Sequence, residues 1–158
     1  MILYHGSNIE INERDLSMSK VGKDFGCGFY LSPDRGQAQR IAEKKVNITK
    51  KGTPCITTYK LDDSIINGDT LRVIRFDRYS KEWAEFISMN RQNRTRQQAH
   101  DYDIVIGPIA DDDIGLQMRR LTDGYIDIQQ FLDNLKYKTV TIQYFFGTNE
   151  AITQLQKI

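Results

Sequence analysis

The sequence is poor in residues that build special scaffolds. Cysteine occurs twice in 158 residues, as Cys27 and Cys55, too few for a disulfide framework or a thiolate metal cage. Both are expected to be reduced, which favours a cytosolic compartment and predicts a cytoplasmic protein. Histidine also occurs twice, at His5 and His100, so a zinc site would need an unusual ligand set and no metal is expected. Three prolines and the lack of any repeat exclude collagen-like and solenoid architectures. No apolar run approaches the roughly 18 residues of a membrane span. Residues 1–15 lack the basic start and long apolar stretch of a secretory leader, so none is expected. An excess of one charge is missing as well: 22 basic residues face 21 acidic ones. Nothing steers the whole molecule towards nucleic acid or an anionic membrane, and any such contact must come from a local patch.

What remains is ordinary globular material. Hydrophobic residues make up 39% of the chain, which with its glycines lies in the globular range. The length predicts a single domain over residues 1–158. Strand-like segments occur at both ends, with helical ones inserted irregularly, which predicts an α+β domain and disfavours a doubly wound parallel sheet. Met1 to Tyr4 reads as a strand running into His5-Gly6-Ser7, followed by a long polar loop. Phe25 to Ser32 reads as a glycine-punctuated strand, and Ser32 followed by Pro33 predicts a helix start, with Ala38, Ile41, Ala42 and Val46 on its inner face. Cys55 to Leu61, Tyr102 to Ile109 and Thr139 to Phe146 read as further strands, and Leu71 to Phe76 as either another strand or a short buried piece. Ser80, Asp111 to Asp113, Asp127 with Gln130, and Thr148 mark four helix starts. Asn90 to Gln98 carries Arg91, Arg94 and Arg96 with no acid and no apolar residue, which predicts a mobile basic loop.

Three segments place polar groups beside apolar strands. In Leu3-Tyr4-His5-Gly6-Ser7 an imidazole adjoins a backbone that a ligand can approach closely; a surface strand end is the plainer alternative. In Gly26-Cys27-Gly28-Phe29-Tyr30-Leu31-Ser32 the Tyr30 ring could meet a flat ligand or fill a core. In Ile142-Gln143-Tyr144-Phe145-Phe146 the lone amide points either to solvent or into a cleft. Gly26-Cys27-Gly28 lacks the third glycine and the following helix of a dinucleotide fingerprint, which excludes a Rossmann reading.

Together and in this order, the three segments resemble the ADP-ribosyltransferase superfamily, in its diphtheria-toxin-like and poly(ADP-ribose) polymerase-like branch. Members carry a histidine-glycine on the first strand, a GxGxY strand followed by a helix, and a late strand opening with an acid. Here these are His5-Gly6, Gly26 to Ser32, and Gln143-Tyr144. The chain as a whole, including Tyr102 to Asp112, looks like a bacterial family of that superfamily suspected to be toxins or effectors, sometimes encoded beside a small antitoxin-like protein partner.

The resemblance implies a split β-sandwich core with peripheral helices, NAD as cofactor, and transfer of one ADP-ribose unit to a macromolecular acceptor, protein or nucleic acid, with no membrane involved. It implies that His5 bonds a ribose hydroxyl, that the Gly6 backbone pairs with the nicotinamide carboxamide, and that Tyr30 stacks on the nicotinamide ring. Ser7, Gly28, Phe29, Ser32 and Arg35 would line the same dinucleotide. Arg35 and Arg40 stand where they meet either the pyrophosphate or solvent.

The family's late acid is here Gln143. A carboxamide accepts a hydrogen bond but supplies no full charge. A unit charge about 4 Å from an oxocarbenium ion is worth roughly 4 kcal/mol at an effective dielectric of about 20, so its loss costs up to about a thousandfold in rate. Single-unit transfer is therefore expected rather than chain elongation. A binding module without turnover and an NAD glycohydrolase are the alternatives. Asp101, Asp103 and Asp111 to Asp113 are candidate substitute acids, while Glu150 is on the wrong element. Arg91, Arg94 and Arg96 form either a solvated loop or a contact for a polyanionic acceptor.

Overall fold

Alternation along two central strands sets the layering. In the computed structural model, which describes residues 1–158, β5 (Ile104–Pro108) and β6 (Ile142–Phe146) send successive side chains to opposite faces. Ile104, Ile106, Tyr144 and Phe146 join Leu3, Phe29, Leu31 and Tyr59 in one core. Val105 and Phe145 join Phe25, Trp83, Ile87, Ile114 and Phe131 in a second. Both strands are thus covered on two sides, which explains their nearly unbroken apolar runs.

The result is a mixed α+β domain with two sheets and six α-helices. The first sheet has the order β1-β3-β7, with β1 at Ile2–Ser7, β3 at Cys55–Lys60 and β7 at Gln156–Lys157, all antiparallel. The second has the order β2-β6-β5-β4, with β2 at Phe29–Leu31 and β4 at Val73–Arg75, and only β4–β5 is parallel. The first core fills the space between the sheets. The second lies under α3 (Lys81–Gln92), α4 (Asp112–Thr122) and α5 (Ile128–Leu135). The sheets touch where Tyr4 and Ser32 exchange backbone hydrogen bonds of 2.8 Å.

Cap chemistry explains where the helices begin. Ser80 accepts from the Trp83 amide, Asp111 from Ile114, and Thr148 from Ala151 at the head of α6 (Asn149–Thr153). Asp127 and Gln130 form a reciprocal capping box. Each cap is worth about 1 kcal/mol.

Several expectations need correction. Helix α1 (Arg35–Thr49) is capped by Asp34, not Ser32. The backbone of Ser32 is committed to Tyr4, and the residue before a proline is held extended, so Ser32 ends a strand while its Oγ accepts from the Asp34 amide at 3.0 Å. Only Ala38 and Ala42 of α1 are buried, and Ile41 is exposed. Residues 25–28 are a turn rather than strand, because Gly26 takes a φ of 98°, a left-handed region open to glycine. The short α2 (Asp63–Asn67) and the two-residue β7 were not expected. Asn90 to Gln92 complete α3, with Asn90 fully buried.

Candidate functional site

His5 lies inside β1, one residue after the point where β1 meets the end of β2. Its ring stacks on Phe29 at 4.3 Å between centroids. Its Nδ1 is 2.7 Å from the Tyr30 carbonyl. A carbonyl only accepts, so Nδ1 carries the proton and Nε2 presents a lone pair. Burial, aided by the nearby Lys45 ammonium, lowers the His5 pKa to about 4 against the pull of the Tyr30 carbonyl. The imidazole is therefore a neutral acceptor at physiological pH.

Gly6 is needed for packing. A Cβ there would come 2.0 Å from the Ala38 carbonyl oxygen of α1. Its own carbonyl accepts from Lys45 Nζ at 3.0 Å. Burial and the charges of Lys23 and Lys20 lower the Lys45 pKa, so two further ammonium groups act on the one that acts on His5. None of the three has an acidic partner. Composition gave no sign of this grouping, since Lys45 lies on α1, well after Lys20 and Lys23 in the chain, and only folding brings it under their influence.

Tyr30 occupies the outer strand of the second sheet, opposite Phe145. Its ring packs edge-on to Phe145 at 5.2 Å and parallel to Phe25 at 6.4 Å. Its hydroxyl donates to the Gly26 carbonyl at 2.8 Å and accepts from the Phe25 amide at 3.0 Å. Burial holds the phenol well above its ordinary pKa. The hydroxyl is thus engaged by the protein while the ring is half-buried, and Tyr30 braces the turn at residues 25–26.

Gln143 lies two residues before Phe145 on β6, on the same face as Tyr30. Its Nε2 donates to Asp24 Oδ2 at 3.2 Å. Asp24 is ion-paired with Arg91 at 2.8 Å. Sequence reasoning overlooked Asp24, because the acids it weighed were late in the chain. Asp103 is instead at the opposite end of β5, bonded to Arg72. Asp111 caps α4, and Asp112 and Asp113 pair with Lys44 and Lys138.

The remaining predicted residues divide in two. Phe29 and Ser32 are buried beside His5 and Tyr30. Ser7 is buried in β1 opposite Cys55. Gly28 gives its amide to Ser19 Oγ at 2.9 Å, and a Cβ there would strike the Phe145 ring. Arg35 is exposed at the start of α1, and Arg40 is tied to Asp34 and Gln37. The arginine segment is not free: Arg91 holds Asp24, and Arg96 donates to the carbonyls of Leu16, Ser17 and Ser19. His100 bonds the Phe25 carbonyl at 2.8 Å, and Gln98 donates to the Cys27 carbonyl.

One line of contacts therefore runs from His5 to the Tyr30 carbonyl, from the Tyr30 hydroxyl to Phe25, and from the adjoining Asp24 to Gln143. Two hollows of about 300 Å³ lie elsewhere, one beside Thr57 and Lys157 and the other between α3 and Ile128. No group of three His, Cys, Asp or Glu side chains could hold a metal ion. No helix is long and apolar enough to cross a membrane. The chain belongs to a family described as protein of unknown function (DUF3990), whose model matches residues 1–157. No curated protein and no solved structure matches it.

Proposed function

We propose that the protein is an NAD-dependent mono-ADP-ribosyltransferase with the split β-sandwich of that superfamily. The observation that carries the reading is the line of contacts joining His5, Tyr30 and Gln143, residues far apart in the chain, at the junction of two sheets. In this reading the neutral His5 Nε2 accepts from a ribose hydroxyl. Lys20, Lys23 and Lys45, none of them paired with an acid, offer positive charge to the pyrophosphate. Gln143 Oε1 accepts from the ribose 2′-hydroxyl. Tyr30 acts by bracing His5 and the 25–26 turn.

The chemistry then follows. The bond from ribose C1′ to the nicotinamide nitrogen breaks, and its electron pair leaves with nicotinamide. C1′ bonds to the acceptor nucleophile, which gives up a proton. The protein's contribution is to hold the ribose and to face the developing cation with oriented oxygen dipoles. Without a formal charge at position 143, a strong nucleophile and a single transfer suit the site better than repeated elongation.

A second reading is favoured by one observation: the acid nearest Gln143 is already neutralised by Arg91, so the domain could bind NAD or a partner without turnover. The purified protein incubated with NAD, with and without cell lysate, decides. Nicotinamide release with label on a macromolecule supports transfer. Free ADP-ribose formed without acceptor identifies a glycohydrolase. Binding by calorimetry with no release identifies the silent module. Folded protein that neither binds nor cleaves NAD overturns the proposal.

A further inference from the structure

We infer that Asp24 is the positioning residue of this site, fixing the Gln143 carboxamide so that its oxygen faces the ligand and making position 143 require an amide. The inference deepens the proposed NAD reading and rests on it for the ligand's identity.

The carboxylate is fully engaged. Arg91 Nε and Nη2 both reach Oδ1, at 2.9 and 2.8 Å. Oδ2 receives Gln143 Nε2 at 3.2 Å and the Ala110 amide at 3.4 Å. The Asp24 side chain is 16% exposed and Arg91 29%, so the pair is largely withdrawn from water. Arg91 also donates to the Ala110 carbonyl at 3.2 Å, which fixes both partners against the loop between β5 and α4.

An ionised carboxylate is an acceptor only. The amide end that faces it must be the NH2 group, so Oε1 is turned away. No donor of the protein reaches Oε1, and it is not among the enclosed unpartnered atoms. Hydrogen bonding to a carboxylate also polarises the amide and deepens the negative charge on Oε1. A glutamate here would instead set two carboxylates at hydrogen-bonding distance, and one would take up a proton or swing away. Glutamine at 143 is the partner that Asp24 demands.

The test is a four-protein cycle of wild type, Gln143→Glu, Asp24→Asn and the double variant, read by melting temperature at pH 5 and pH 8 and by nicotinamide release from NAD. In Gln143→Glu a carboxyl with a raised folded pKa is stable while protonated and loses stability as pH rises, so its melting temperature falls between pH 5 and pH 8 relative to wild type. In the double variant the amide introduced at position 24 can donate to the carboxylate introduced at position 143, and the fall disappears. Nicotinamide release drops about tenfold or more in Gln143→Glu and recovers by about tenfold when Asp24→Asn is added, the scale of coupling between contacting residues. The same pH profile in Gln143→Glu and wild type, or Gln143→Glu outperforming the double variant, overturns the inference. The pH behaviour as expected with no NAD binding by wild type overturns the proposed function while the Asp24–Gln143 coupling stands.

Discussion

His5 and Gln143 belong to one line of contacts, yet their surroundings are built in different ways. Around His5 the main chain is the scaffold: β1 pairs with β3 over six residue pairs, and α1 is pressed so close that Gly6 has no room for a Cβ. Around Gln143 the support is an irregular segment, residues 16–28, held by side chains from residues 91–100. Arg96 takes three of its carbonyls, Arg91 its carboxylate, Gln98 and His100 one carbonyl each. The first half derives stiffness from packed backbone, which yields only as a unit. The second derives it from separate polar clasps, each worth about 1 kcal/mol or somewhat more where charged. Damage should therefore be global on one side and local on the other.

The sharpest break comes from Gly6→Ala. A methyl group placed 2.0 Å from the Ala38 carbonyl forces α1 off β1, and a loss of about 3 kcal/mol or more is expected in urea unfolding. A mild effect would show that the helix contact is adaptable and dissolve the contrast. Next is acid. His5 has a folded pKa of about 4 against an ordinary 6.5, so below pH 6.5 the unfolded chain binds a proton that the folded one refuses. Stability therefore falls as pH drops from 6.5 towards 4, by about 2–3 kcal/mol at pH 4.5. His100, lowered chiefly by burial, acts in the same direction. In His5→Gln most of that slope should vanish from denaturation curves taken at pH 7 and 4.5, leaving the part due to His100.

The smallest effect sharpens the other half. Arg96→Ala removes a guanidinium from three carbonyls at the surface and should cost about 1 kcal/mol. Amide exchange should quicken across residues 16–28 while α1 and β3 keep their protection. Uniform quickening would mean that the clasped segment and the sheets open together.

Local chemistry made much of this fold legible. Ser80, Asp111, Thr148 and the Asp127–Gln130 box announce helix starts because a cap and its target are three residues apart. The apolar runs at 104–106 and 144–146 announce strands for a similar reason. Ser32-Pro33 misled because a competing long-range bond, to Tyr4, claimed the backbone. The arginine segment read as mobile because nothing near it in sequence accepts its donors; the carbonyls it meets are some eighty residues earlier. Asp24 was invisible on the same ground, its partner Gln143 being 119 residues away. His5 and Gln143 were legible as unusual polar residues beside strands, whereas the engagement of Tyr30 depends on Phe25 folding back five residues away.

The pairing of β2 with β6 has a consequence for how the molecule comes into being. Residues 29–31 find their partner strand only at 144–146, so a nascent chain leaving the ribosome lacks the sheet partner of Phe29, Tyr30 and Leu31 until β6 has been translated. Closing so wide a loop is slow compared with forming a local helix. A polypeptide terminated anywhere before β6 lacks Gln143 and the strand that seats Tyr30, which makes the assembled site a sign that synthesis has passed Phe146.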